Sequence, residues 1–273
     1  TPPLEGVRKV KFLGSVGTRS FLFEERLDRE PQDLGEGVHQ ERRDSVLYSF
    51  VSAAGDSAAL TWVEPGRERV YMAPHPQVWG DEPVIFGRDT YATVIGDVAA
   101  FAPSDSLALT LVKLGRSEQR RVSLPWTPVR ATSEQASAVR KARLAENREY
   151  AARDRSGAIV RGGAYGSGRS MKQIVAELRQ QLLEVVPARA TLPALSDLRA
   201  DGDANLWVRS YPLPDDQTVE WVVLDSELTP VARIVLPVDL EIFDIGRRDM
   251  LVHRTDEMDR DLVDVWPIVK RGG

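Results

Sequence analysis

No cysteine occurs among the 273 residues. Disulfide staples, thiolate nucleophiles, covalent haem attachment and cysteine-held zinc or iron–sulfur sites are thereby excluded. Compartment stays open, because exported and internal proteins alike can lack cysteine. Long apolar runs are missing too. The longest, such as 107–111 and 234–236, have the length of strands, far short of the roughly 20 residues that cross a bilayer as a helix. Histidine is scarce: His39, His75 and His253 stand far apart with no metal-type spacing, so each reads as a surface or turn residue. No serine sits in a Gly-x-Ser-x-Gly elbow, which leaves a hydrolase triad without support. The opening Thr1-Pro2-Pro3 carries no charged-then-apolar leader and fits a mature chain and a processed fragment equally.

What remains is ordinary globular material, 42% hydrophobic and 28% charged, enough to build a core. Its charge is uneven. Residues 133–180 hold ten Lys or Arg against five Asp or Glu, a local +5 in a chain of net −5, so the rest is −10. Such a segment either meets an anionic partner, folds back on its own acidic body, or is a solvated helix face.

Short strands repeat with turn punctuation between them. Residues 195–237 show strands at 195–200, 206–211, 219–224 and 231–236, separated by the Asp201–Asn205 cluster, a Pro-x-Pro-Asp-Asp loop and residues 225–230. Four strands in about 40 residues is the length of one propeller blade. A second unit spans 91–125, with strands at 91–95, 98–102, 107–112 and 121–124. A looser one spans 7–63, with strands at 7–13, 20–23, 46–51 and 58–62 and a long polar loop over 28–43. The last, 240–269, shows three strands, at 241–245, 250–253 and 262–266. A single four-stranded sheet leaves its edges and one face poorly covered, and radial packing of neighbouring sheets relieves both. The fold class read from this pattern is mainly β: about four antiparallel propeller-like blades in an open or incomplete ring. A barrel and a sandwich are the competing all-β arrangements.

Between 132 and 186 the period changes to helix. Thr132 and Gln135 have capping-box spacing, and 134–154 is rich in strong helix formers. Met171, Ile174, Val175, Leu178, Leu182 and Val185 follow a near-3.6 period until Pro187 ends it. The organisation is therefore blades over 1–131, a helical insertion over 132–190 on the propeller rim, and further blades of the same domain over 191–273.

Few motifs carry chemistry. Gly163–Ser170 matches a phosphate-binding loop except that Arg169 stands where lysine belongs, and no parallel βαβ array surrounds it, so a glycine-rich linker is the plainer reading. The acidic run 256–261 lacks the twelve-residue calcium-loop spacing. Of six tryptophans, Trp62, Trp207, Trp221 and Trp266 fall in strands, where they fill the packing between blades. Trp79 and Trp126 fall in loops near prolines, as interface anchors do.

The runs Ser196–Arg209, Glu220–Asp225 and Val235-Leu236-Pro237 resemble the penultimate blade of exported bacterial six-bladed β-propellers of the kind abundant in Gemmatimonadota-like bacteria. Asp256-Glu257 with Val263-Asp264-Val265-Trp266 resembles their last blade, and Arg42–Tyr48 and the helix entry over 128–144 are similar in kind. The resemblance covers most of the chain, but its motifs mark turns and core positions and transfer no catalytic residue. It implies an exported, periplasmic or extracellular protein. It also implies two further blades before Val7, and without them exposed sheet edges invite a permanent partner.

Two function classes follow. The first is a non-catalytic binding or scaffold protein, an extrinsic subunit on a larger assembly. Because the lineage includes phototrophs, the resemblance makes an electron-transfer or photosynthetic complex at a membrane one version. Its expected contacts are Trp79, Trp126, Arg140, Arg148 and Arg169, with a protein partner rather than nucleic acid, peripheral rather than transmembrane association, and no assigned cofactor, metal or catalytic residue. The second is a propeller enzyme of hydrolase or lyase type with its site in the central channel.

Overall fold

Alternating apolar and polar residues in strands such as 218–224 let one face pack on a neighbouring sheet, whereas the continuous apolar run 98–102 can pack on both faces. In a computed structural model, which describes residues 7–16, 20–28, 39–52, 60–75, 78–113, 118–152, 171–255, 258 and 260–269, these strands form four antiparallel sheets in a propeller-like arrangement. The first sheet holds β1 (Val7–Val16), β2 (Ser20–Asp28), β3 (His39–Ser52), β4 (Leu60–His75) and β5 (Val78–Pro83) in that order. The second holds β6 (Thr90–Ile95), β7 (Val98–Pro103), β8 (Ala108–Lys113) and β9 (Gln119–Ser123). The third holds β10 (Asp197–Ala200), β11 (Leu206–Arg209), β12 (Thr218–Leu224) and β13 (Pro230–Pro237). The fourth holds β14 (Glu241–Ile245), β15 (Asp249–Thr255) and β16 (Asp261–Pro267).

Turn chemistry explains why strands of the second and third sheets follow one another in chain order. Ile95 pairs with Val98, and the intervening Gly96 has φ +59°, where a side chain is disfavoured. Two turns of the third sheet share one device. Asp201 Oδ1 accepts the N–H groups of Asp203 and Asn205, each at 2.9 Å, and Asp225 Oδ1 accepts those of Glu227 and Thr229, also at 2.9 Å. Each aspartate holds the residue three positions on, Ala204 or Leu228, at φ 64°.

The sheets pack face to face in series. Leu22, Val46 and Tyr48 of the first sheet meet Ala99, Phe101 and Val112 of the second, with the Tyr48 and Phe101 rings edge-on at 4.7 Å. The other face of β7, Ala100 and Ala102, meets Leu198, Leu206, Val208 and Leu224 of the third sheet. Trp207, Val219 and Trp221 then meet Ile242, Met250 and Val252 of the fourth. Tryptophans 207 and 221 therefore fill the space between blades as their strand positions imply, and each such aromatic contact adds about 0.5–1.5 kcal/mol to area burial.

The first sheet departs from the expected unit. The polar residues 39–43, expected as loop, open β3, and β4 continues through Pro65-Gly66 to His75 before β5 returns, so this sheet has five strands. Turn-forming residues suggested an end where the structure has a bulge between Arg43 and Ser45. At Gly66 a Cβ would lie 2.7 Å from Val46 Cγ2 and 3.2 Å from the Asp44 carbonyl oxygen, so only glycine lets the strands approach here.

α1 (Ser133–Ala152) opens with the anticipated capping box: Gln135 N–H donates to Thr132 Oγ1 at 3.1 Å and Thr132 N–H to Gln135 Oε1 at 2.9 Å. α2 (Met171–Val185) follows. Although the hairpin lies between the second and third sheets in sequence, it folds back on the first. Val139, Leu178 and Leu182 pack with Val70 and Met72 of β4 and with Ile85 and Phe86. The return segment is fixed by Glu68, whose Oε2 accepts the Arg88 N–H at 2.8 Å and Arg189 Nε at 2.9 Å. Burial works to raise the Glu68 pKa, but these bonds outweigh it and hold the carboxyl below the ordinary 4.5.

Candidate functional site

The inner strands β1, β6 and β10 lie side by side and enclose a polar cleft of about 230 Å³ near the axis of the arrangement. Four cations, Lys11, Arg26, Arg67 and Arg199, and two carboxylates, Glu24 and Asp197, line it together with Tyr91 and Thr93. Beneath it sits Asp89, 3% exposed, which accepts Arg26 Nη1 at 3.1 Å and Arg67 Nε at 2.8 Å. Its Oδ1 also accepts the Thr90 N–H at 2.9 Å, and its own N–H donates to Ser104 Oγ at 2.9 Å. Arg26 Nε donates to Glu24 Oε1 at 2.7 Å. These bonds join two strands of the first sheet to the entry of the second, so the network fixes how the sheets meet at the axis. Burial alone would lower the Arg26 pKa; the charges of Asp89 and Glu24 reverse this and leave it above its usual value. Burial, reinforced by Asp89, pushes the Tyr91 phenol up, so it is neutral at physiological pH.

On the other side of β10 a second cavity of about 260 Å³ shares Asp197 and Arg199 with the first and adds Arg209, Asp239 and Glu241. Arg209 Nη2 donates to the Val238 carbonyl at 2.7 Å, while its buried Nε has no hydrogen-bond partner among the described residues. Desolvation lowers the Arg209 pKa. No group of three or more His, Asp or Glu side chains able to hold a metal ion occurs among the described residues.

A different feature lies at the two ends of the series. The first sheet buries Leu22, Val46 and Tyr48 on one face, yet its opposite face carries Val10 at 58%, Phe12 at 55% and Val63 at 61% exposure. Phe12, Phe21 and Phe23 form a ring cluster on that face, with centroids 5.8–6.5 Å apart. The fourth sheet likewise exposes Phe243, Leu251, Val263 and Val265. Among the described residues, no core cluster joins the fourth sheet to the first. Strands with apolar residues on both faces are the pattern of a sheet covered on both sides.

The residues singled out in the sequence are scattered by the fold. Trp79, expected in a loop, lies in strand β5, because the charged and glycine-containing run around it pairs with β4. Trp126 is half-buried in the segment between β9 and α1. Arg140 turns inward, its Nε donating to the Leu183 carbonyl at 2.9 Å and its Nη2 to that of Val186 at 2.7 Å, at the end of α2. Arg148 is exposed on α1, and Arg169 with the Gly163–Ser170 run lies outside the described residues. Arg143 donates to the Pro83 carbonyl and Arg179 to Glu82, so the described part of the basic segment is in part consumed within the protein. Trp126, Arg140, Arg143, Arg148 and Arg179 do not line the axial cleft.

His39, His75 and His253 occupy strands rather than turns. His253 stacks on Phe243 at 5.6 Å, with Glu241 Oε2 3.3 Å from Nδ1 and Asp261 Oδ1 3.1 Å from Nε2. In the acidic run, residues 256, 257 and 259 lie outside the described residues. Sequence reasoning missed Lys11, Arg26, Arg67, Asp89 and Arg199. The available signal was the charge at alternate positions of β2, Glu24 and Arg26, in register with the buried Leu22.

No protein-family model and no curated protein matches the chain.

Proposed function

We propose that this protein is a non-catalytic binding or scaffold module, an exported extrinsic subunit that docks on a larger complex through the uncovered face of its first sheet. The observation that carries this reading is the aromatic and aliphatic surface of Val10, Phe12 and Val63, more than half exposed on a sheet whose other face buries Leu22, Val46 and Tyr48. Exposed apolar surface gathered on one sheet face in this way marks an interaction site. The occupant is a protein partner presenting an antiparallel sheet with an apolar face. The three sheet-to-sheet junctions among the described residues have that chemistry, and the Phe12, Phe21 and Phe23 rings supply the rigid anchors typical of a protein interface. A membrane-bound electron-transfer or photosynthetic complex is the assembly that the family resemblance suggests.

Native mass spectrometry of the chain isolated from its own host tests the reading. The expected result is a complex with a different polypeptide. The double variant Phe12→Lys and Val63→Lys should lose that partner while its circular dichroism spectrum and melting profile stay close to those of the parent, since both side chains are solvent-facing. Recovery as a monomer or as a homo-oligomer, or a partner retained by the double variant, overturns it.

A further inference from the structure

We infer that the cleft between β1, β6 and β10 binds a small organic oxyanion, a carboxylate or phosphate ester of roughly ten non-hydrogen atoms. Size sets the first limit. A cavity of about 230 Å³ is larger than the roughly 150 Å³ that holds benzene, and far smaller than a peptide or a nucleotide chain requires. Charge sets the second. Lys11, Arg26, Arg67 and Arg199 line the cleft against Glu24 and Asp197, and even counting the submerged Asp89 the cations exceed the acids by one. This positive excess stands in a chain of net charge −5, so composition alone does not produce it.

Hydrogen-bonding capacity sets the third. Of the Arg67 guanidinium only Nε is engaged, by Asp89, and of the Arg199 guanidinium only Nε, by Asp197 at 3.0 Å, which leaves the terminal nitrogens of both groups without partners among the described residues. Lys11, exposed and paired across the strands with Glu24, makes no ion pair among the described residues. Guanidinium forks match carboxylate and phosphate oxygens in a bidentate geometry, and the ammonium adds a third point of charge. Pinning of Arg67 by Asp89 holds its fork in place before a ligand arrives, which lowers the ordering cost of binding. This inference does not rest on the docking face: Phe12 borders both, but the charged groups that would hold the ligand, Lys11, Arg26, Arg67 and Arg199, are not part of that apolar surface.

Isothermal titration calorimetry of the full chain at low salt, with succinate, phthalate and inorganic phosphate as probes, tests it. At least one probe should bind, with affinity falling as salt is raised. Lys11→Gln and Arg199→Gln should each weaken that binding roughly fivefold or more, while Arg233→Gln, on the outer strand β13, leaves it unchanged. The first two variants break no bond between sheets, and a melting profile matching the parent's verifies that they fold. Preference for succinate or phthalate over phosphate identifies the ligand class as a carboxylate, and the reverse order as a phosphate ester. Absence of binding for all three probes up to about 10 mM overturns the inference, as does binding that Lys11→Gln and Arg199→Gln leave intact.

Discussion

Single side chains set where this protein is sensitive to acid. Glu68 receives two hydrogen bonds, one from the Arg88 backbone and one from Arg189, and its folded pKa lies below the unfolded 4.5. A carboxylate depressed in this way stabilises the fold fully above its unfolded pKa and loses that contribution as pH falls through the folded value. Glu64 has the opposite sign, because burial raises it against weaker help from Arg121 and Arg43. Substituting Glu68→Gln should therefore lower the melting temperature near neutral pH and leave a shallower acid limb. Melts compared from about pH 7 to about pH 3 should show parent and variant converging as pH falls. A constant gap across that range would contradict the role given to Glu68.

At the scale of elements, the helical hairpin shows how a basic segment can be structural. The last carbonyls of a helix lack intrahelical donors, and Arg140 supplies them from the neighbouring helix to Leu183 and Val186. Arg148, eight residues on, is exposed. Arg140→Ala should cost about 1.5–3 kcal/mol, the worth of charged hydrogen bonds, whereas Arg148→Ala should stay within about 0.5 kcal/mol. Urea unfolding of the two variants separates them. If Arg148→Ala proves the more damaging, the internal role of Arg140 is wrong. Segment charge was legible in the sequence, but which cations turn inward depended on the docking of α2 against β4 and β5. The capping box of Thr132 and Gln135, being local, was legible in full.

Across the whole molecule, the sheets form a series in which each contacts its neighbours, as in repeat proteins whose stability is carried by nearest-neighbour interfaces. The hairpin adds a contact that this order alone would not suggest, because it packs back on β4 and β5 of the first sheet. Leu182, 1% exposed in that shared core, is the point at which to probe it. Leu182→Ala should cost about 2–5 kcal/mol. Hydrogen exchange should then accelerate most in β4 and β5, with β14–β16 little changed. Uniform acceleration in all four sheets would instead mean that the protein unfolds as one cooperative unit.

What the amino-acid order settled by itself was everything written in neighbouring residues: the strands of the second, third and fourth sheets, their turns, both helices and the cap. These depend on alternation, turn geometry and period, each felt within a few positions along the chain. Only tertiary structure decided that β3 opens at His39, that β4 runs on past Pro65 and Gly66, that the hairpin packs on β4 and β5, and that Lys11, Arg67 and Arg199 share one cleft. The physical reason is that a bulge, a covered face and a charge cluster are set by residues distant in sequence, whose meeting is fixed by the packing of whole sheets and not by any local preference.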